Sequence, residues 1–169
     1  ILSAVRARLP QVSEIEVTME ANPGTLDTHK LRDFRAAGVT RLSLGVQSFD
    51  DGLLDSIGRI HTGNHARVAL ATAYQLFDKV NVDLMFALPN QSFAQLQSDV
   101  ATALAYQPTH LSYYHLTIEP NTFFYQHPPS VPSDELAIDM QEWIQSELAG
   151  QGLRHYEVSA YAQAHHECQ

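Results

Sequence analysis

The sequence predicts an α/β fold in which a parallel sheet is built from repeated strand–helix units. Segments with strand character alternate with helical segments about every 30 residues, as in parallel α/β proteins. The chain has 169 residues, the size of one domain, and 44% of them are hydrophobic. Right-handed crossovers of this kind form either a doubly wound sheet or part of a barrel. A complete (β/α)₈ barrel takes ~250 residues, so this chain is too short for one.

The first unit begins with a strand at residues 15–20, which are rich in β-branched and apolar side chains. Asn22, Pro23 and Gly24 follow and end this strand. A helix then begins with Thr25 or Asp27 as its N-cap, and Gly38 is the expected glycine at its C-terminus.

Residues 41–47 alternate between two kinds of side chain with period two, which predicts a second strand. The helical stretch that follows is interrupted by the breaker at residues 61–63. It is therefore predicted as two pieces, at residues 50–60 and 64–77.

The third and fourth strands are predicted at residues 80–88 and 110–118. Pro89 ends the third strand, and Ser92 caps a helix that Pro108 stops. Both units therefore repeat the strand–helix order of the first two.

The last third of the chain begins with a proline-rich loop at residues 126–133. Ser133 or Asp134 then caps a long helix, and residues 155–161 are predicted as a short fifth strand. Residues 162–169 show no pattern.

Charge and hydropathy exclude several function classes. Acidic residues outnumber basic ones 19 to 10, giving a net charge of −9. This balance argues against a nucleic-acid partner, because phosphate neutralisation needs an excess of Lys and Arg. It also argues against binding to an anionic membrane surface. No uncharged apolar run approaches the ~18 residues of a membrane span.

The sequence begins with Ile1 in place of an initiator Met, which leads us to expect a piece of a longer chain.

The turns after the predicted strands are polar, and functional groups of βα folds gather at these carboxyl ends. Glu20 ends the first strand and is interpreted either as an acceptor for an amine or ribose hydroxyls, or as a charge that stabilises the next helix. Gln47 ends the second strand and shares a face with Ser43 and Gly45. Parallel strands are usually apolar on both faces, so this face favours a ligand-lined cavity over a solid core.

Two further charged residues are candidates for ligand binding. Arg59 either clamps a carboxylate or stabilises a helix C-terminus. Asp83 interrupts the apolar run of the third strand, and such an acid is either paired or faces a polar cavity. The single cysteine, Cys168, excludes an internal disulfide and any site that needs several thiolates.

Five motifs, taken together, are similar to those of one known family. They are EANPGT at 20–25, LSLGVQSF at 42–49, GRIH at 58–61, VDLMFALP at 82–89 and LTIEPNT at 116–122. This combination resembles the radical S-adenosylmethionine (SAM) proteins of the oxygen-independent coproporphyrinogen III oxidase type, and most closely their haem-chaperone branch.

The resemblance implies a partial (β/α)₆ barrel of the TIM-like type, with its first strands missing. Residues 1–161 would form the barrel core, and residues 162–169 would begin the connection to a further domain. SAM would lie across the strand ends, and the exposed edge of the first strand would favour self-association. The residues implied to bind SAM are Glu20, Gln47, Arg59, Asp83 and, in the fourth strand, Thr117.

The chain departs from the family at the metal cluster. The family holds a [4Fe-4S] cluster with a Cys-x-x-x-Cys-x-x-Cys loop, whereas this chain has one cysteine. The resemblance implies that the whole protein binds SAM, the cluster and haem in the cytoplasm and passes haem to a haem-accepting protein. Because the cluster cysteines are missing here, it also implies that this chain alone is inactive. The alternatives are a true coproporphyrinogen III oxidase of porphyrin biosynthesis and an inert α/β scaffold.

Overall fold

Six strands form one sheet in the computed structural model, which describes residues 1–8 and 15–168. The sheet order is β1-β2-β3-β4-β6-β5; the first four strands are parallel, and β6 is antiparallel to both β4 and β5. The strands are β1 (Thr18–Ala21), β2 (Arg41–Gln47), β3 (Lys79–Phe86), β4 (His110–His115), β5 (Arg154–Glu157) and β6 (Ala160–Ala162).

Helices connect the parallel strands, and most begin at a polar side chain that accepts a hydrogen bond from a first-turn backbone amide. Asp27, Ser92 and Ser133 act as such N-caps. None of the helices in the described ranges is long and apolar enough to span a membrane. The helices are α1 (Leu2–Arg6), α2 (Thr28–Ala37), α3 (Asp51–Ser56), α4 (Gly63–Leu76), α5 (Phe93–Leu104), α6 (Phe123–Gln126) and α7 (Asp134–Gly150).

The two faces of the sheet differ in character. One face of β2 and β3 is apolar and fully buried, and it packs against α4 and α7. Its residues include Leu42, Leu44, Val46, Val80, Val82 and Leu84. The opposite face carries polar side chains at alternate positions, because successive side chains of a strand point to opposite faces. The apolar face therefore supplies the core and leaves the polar face for a site.

The α/β prediction with parallel strand–helix units is confirmed, and the second strand spans the predicted residues 41–47. The first helical piece ends at Ser56 instead of residue 60, because Gly58 adopts a left-handed backbone with φ of 70°. The fourth strand ends at His115 instead of residue 118. Its neighbour β3 ends at Phe86, and the last backbone bond between the two segments joins Leu116 N–H to that residue.

The end of the sheet also differs from the prediction. The single strand predicted at 155–161 is a hairpin of β5 and β6, joined by a two-residue turn at Val158 and Ser159. This turn lacks the glycine and asparagine that mark such hairpins in a sequence. The strand β6 runs to Ala162, one residue beyond the predicted barrel core, and Gln169 of the predicted connection lies outside the described residues.

The strand β1 lies at one edge of the sheet and begins at Thr18, three residues later than predicted. Within the described ranges its strand neighbour is β2. Self-association through this edge stays a prediction.

The close approach of two segments near the strand ends can be tested through Gly63. A Cβ atom added at this residue would collide with the backbone carbonyl of Phe49. We expect Gly63→Ala to lower the free energy of unfolding by about 1–3 kcal/mol in urea denaturation. The matched control is Gly150→Ala at the end of α7, where an added Cβ meets no atom within 4 Å, and it should stay within about 0.5–1 kcal/mol of wild type. Equal losses in the two variants would contradict the close packing.

Candidate functional site

The polar strand ends enclose an open cavity of about 440 Å³. This volume lies within the range of about 300–1,000 Å³ that is typical of small-ligand sites. Its walls come from the polar face and the carboxyl ends of β1, β2, β3 and β4 and from the segment after α3. The lining residues are Glu20, Ala21, Asn22, Ser43, Gly45, Gln47, Arg59, Asp83 and Tyr114.

Four of the five predicted site residues line this cavity together: Glu20, Gln47, Arg59 and Asp83. The structure does not bring Thr117 to it. Because β4 ends at His115, Thr117 lies in the following loop and lines a separate depression of about 490 Å³ beside Phe123 and Phe124.

The carboxylate of Asp83 is held by two side chains of the polar face. Ser43 Oγ–H donates to Asp83 Oδ2 at 2.8 Å, and Asn81 Nδ2–H donates to Asp83 Oδ1 at 2.7 Å. Burial raises the pKa of Asp83; these hydrogen bonds oppose the shift, and the negative charge of Glu20 adds to it. The cavity therefore contains a carboxylate whose charge is costly and whose position is fixed.

A buried histidine sets the orientation of Asn81. His110 Nδ1 lies 2.6 Å from Asn81 Oδ1, and Nε2 of the same ring lies 2.7 Å from the Tyr156 hydroxyl oxygen. Burial lowers the pKa of His110 to about 4, so the ring is neutral at neutral pH. Since Asn81 turns its amide nitrogen toward Asp83, its Oδ1 accepts from His110 Nδ1–H, and Nε2 accepts from the tyrosine hydroxyl.

The backbone of Gln47 is left-handed, with φ of 69°, although the residue is not glycine. Such a conformation costs about 1–3 kcal/mol and persists where its surroundings hold it. The side chain extends over Gly45, where an added Cβ would lie 3.0 Å from Gln47 Nε2. The small residue at position 45 thus leaves room for the carboxamide in the cavity.

His61 anchors the segment that carries Arg59. The residue is 2% exposed, and its ring Nε2 lies 3.0 Å from the carbonyl oxygen of Val46, to which it donates. Burial lowers the pKa of His61, so the neutral ring serves as a hydrogen-bond donor rather than a charge. Residues 57–63 are thereby tied to the end of β2, and Arg59 reaches the same cavity as Gln47.

The chemistry of the cavity suits a ligand with both charges and hydroxyl groups. Glu20 and Asp83 accept hydrogen bonds from hydroxyls or an ammonium, Arg59 binds a carboxylate, and Gln47 both donates and accepts. In the part of the chain that the structure describes, no three His, Cys, Asp or Glu residues group so as to hold a metal ion.

Sequence reasoning missed the residues that support the site. Asn81, His110 and Ser112 lie on the polar face of β3 and β4 and take part in the network around Asp83. Their spacing of two residues was the available signal, because it matches the polar alternation of β2. Tyr114, at the next alternate position of β4, forms part of the cavity wall.

Comparison with known families places the chain in a defined class. The sequence pattern of the Radical SAM superfamily matches residues 1–103. The chain belongs to this superfamily, which confirms the resemblance noted from its motifs.

Individual relatives show a smaller group of proteins, within the superfamily, to which the chain is similar. The chain is 44% identical to the protein named "Heme chaperone HemW" of Escherichia coli K12, over 100% of this chain and 45% of that protein. It is 38% identical to the protein of the same name from Haemophilus influenzae, over 99% of this chain and 44% of that protein. The chain thus spans a little under half the length of these two relatives.

Solved structures support the fold. The Escherichia coli structure described as "Coproporphyrinogen III oxidase (HemN)", a radical SAM enzyme, matches with a TM-score of 0.82 and 22% identity. The match covers 97% of this chain and 40% of that one. At this identity the likeness shows the shared architecture.

Because burial makes the charged form of Asp83 unfavourable, we predict that removing this charge stabilises the folded chain. Because the native pKa of Asp83 is raised, the folded chain binds a proton more tightly than the unfolded chain. Stability therefore falls as pH rises above the ordinary value of about 4. We expect Asp83→Asn to remove this penalty, so that the ligand-free variant unfolds at a higher urea concentration at pH 7 and shows a flatter pH dependence.

The matched control is Asp139→Asn, which changes an exposed carboxylate on α7 and should shift the free energy of unfolding by less than about 0.5 kcal/mol. An Asp83→Asn variant that is less stable than wild type at pH 7, with an unaltered pH slope, would contradict the electrostatic account.

Proposed function

We propose that this chain is the SAM-binding part of a radical SAM protein and that SAM occupies the strand-end cavity. The observation that carries the proposal is the convergence of Glu20, Gln47, Arg59 and Asp83 on one cavity of ligand size. These residues are separated along the sequence and come from four segments, so their convergence is a property of the fold.

The four side chains complement the polar groups of SAM. Arg59 is the partner for its carboxylate, since guanidinium binds carboxylates through two parallel hydrogen bonds. Glu20 and Asp83 accept from the ribose hydroxyls or the ammonium, and the Gln47 carboxamide serves either side. Thr117 belongs to the proposal through the resemblance alone.

The residues of this chain do not fit a [4Fe-4S] cluster. The chain contains one cysteine, the exposed Cys168, whereas the family's loop supplies three thiolates. We therefore assign the cluster to the whole protein, and we expect this chain alone to bind SAM without cleaving it.

For the whole protein we propose a haem chaperone that binds haem in the cytoplasm and transfers it to a haem-accepting protein. The relatives named as haem chaperones, at 44% and 38% identity over nearly all of this chain, support this choice. A second candidate is an oxygen-independent coproporphyrinogen III oxidase of porphyrin biosynthesis, because the motifs at the strand ends resemble that oxidase type as a whole.

Calorimetric titration of the chain with SAM tests the cavity. Arg59→Ala and Glu20→Gln should each weaken SAM binding about tenfold or more, because each removes hydrogen bonds that involve a charged group. The control Arg154→Ala changes an exposed arginine on β5, away from the cavity, and should leave the affinity within about twofold. Unaltered binding in both cavity variants, or no binding to wild type, would contradict the proposal. Thr117→Ala in the same series decides whether the depression beside α6 contributes.

Absorbance spectroscopy distinguishes the two candidate functions of the whole protein. With the full-length, cluster-reconstituted protein, we expect stoichiometric addition of haem to give a Soret band distinct from that of free haem. Anaerobic conversion of coproporphyrinogen III in the presence of SAM and a reductant, without such a complex, would favour the oxidase instead.

A further inference from the structure

A buried carboxylate outside the cavity holds the turn that follows β2. Asp99 lies on α5 with 2% of its surface exposed. Its Oδ2 accepts from Ser48 Oγ–H at 2.7 Å, and its Oδ1 accepts from the backbone N–H of Phe49 at 2.8 Å. Ser48 is fully buried, so these bonds are shielded from water. Two consecutive residues of the turn are thus attached to a distant helix.

Gln47, the last residue of β2, directly precedes this attachment. On its N-terminal side, the Val46 carbonyl accepts from His61 Nε2–H at 3.0 Å. On its C-terminal side, Ser48 and Phe49 are held by Asp99. A residue fixed on both sides can be kept in a sparsely populated backbone region, which accounts for the positive φ of Gln47.

We propose that Asp99 is a positioning residue that, through Ser48 and Phe49, keeps Gln47 in the conformation that presents its carboxamide to the cavity. Its effect on a ligand rests on the proposed SAM site, whereas its effect on Gln47 does not. Asp99 itself does not line the cavity.

Burial and neighbouring charges determine the pKa of Asp99. Burial raises its pKa to about 6; the hydrogen bonds from Ser48 and Phe49 oppose this shift, as does the positive charge of Arg67 on α4. Asp50, in the same turn, raises the pKa further, and Tyr113 of β4 lies close enough that Asp99 raises the pKa of its buried hydroxyl. The charged form of Asp99 is therefore unfavourable, and its hydrogen bonds with Ser48 and Phe49 account for the presence of a buried carboxylate here.

The first experiment compares SAM affinities by calorimetry at pH 7.5. Asp99→Ala should weaken binding about as much as Gln47→Ala does, by roughly tenfold, and the double variant should lose little more. Val100→Ala, a buried change at the adjacent position of α5, should lower the melting temperature without altering the affinity beyond about twofold. Asp99→Asn should restore most of the affinity, because its carboxamide can accept from Phe49 N–H and donate to Ser48 Oγ.

The affinity measurements have two outcomes that overturn the inference. One is a loss in Val100→Ala equal to that in Asp99→Ala, because a general loss of packing would then explain both. The other is full additivity of the Asp99 and Gln47 substitutions, because the two residues would then act separately.

The second experiment uses ¹H–¹⁵N spectra of the ligand-free chain, so it remains informative if wild type does not bind SAM. The Phe49 amide proton should titrate with a midpoint near the pKa of about 6, and the backbone and side-chain resonances of Gln47 should shift in Asp99→Ala but not in Val100→Ala. Should Asp99→Ala fail to fold, Ser48→Ala removes one of the two bonds with a smaller change. Because Ser48 is adjacent to Gln47, the readout for this variant is the Gln47 side-chain amide, which should also shift. If the Gln47 resonances do not shift in these variants, the inference is overturned. If they shift in a chain that does not bind SAM, the proposed function alone is overturned.

Discussion

A carboxylate placed within a parallel sheet is the constraint on which the rest of the structure depends. Asp83 lies on the polar face of β3, where burial makes its charge unfavourable. Ser43 from the neighbouring strand β2 and Asn81 from β3 itself donate hydrogen bonds to its two oxygens. His110 then fixes the orientation of Asn81. These hydrogen bonds offset part of the cost of burying the charge, and they lie on the face opposite the apolar packing.

Two further cavity residues, Gln47 and Arg59, are positioned by hydrogen bonds that join segments beyond the strands to the end of β2. Gln47 ends β2, Arg59 lies between α3 and α4, and His61 joins the two segments through the carbonyl of Val46. The backbone N–H of Gly63 donates to Asp51 at 2.7 Å, which ties α4 to α3. Loops attached to a rigid scaffold in this way hold functional groups more precisely than free loops do. The cavity is therefore a property of the packed strand ends and not of any single motif.

Local signals predicted most of the fold, and tertiary context decided the rest. The alternation in residues 41–47 and the N-caps Asp27, Ser92 and Ser133 identified their elements because side-chain direction and capping are local properties. The antiparallel pairing of β6 with β4 was not predictable, since no sequence signal specifies that neighbour. Four cavity residues were found through the polar strand ends and the family resemblance. Asp99 was missed because it lies within an amphipathic helix, where an acid normally indicates an exposed face.

The central claim is that the polar ends of successive parallel strands form one site for an adenosyl ligand with a carboxylate and an amine. A crystal structure of this chain grown with excess S-adenosylmethionine tests it most directly. The account predicts ligand density in the cavity between β1 and β4, with the carboxylates of Glu20 and Asp83 and the guanidinium of Arg59 within hydrogen-bond distance. Ordered ligand in the depression beside Thr117, with the strand-end cavity filled by water alone, would contradict it.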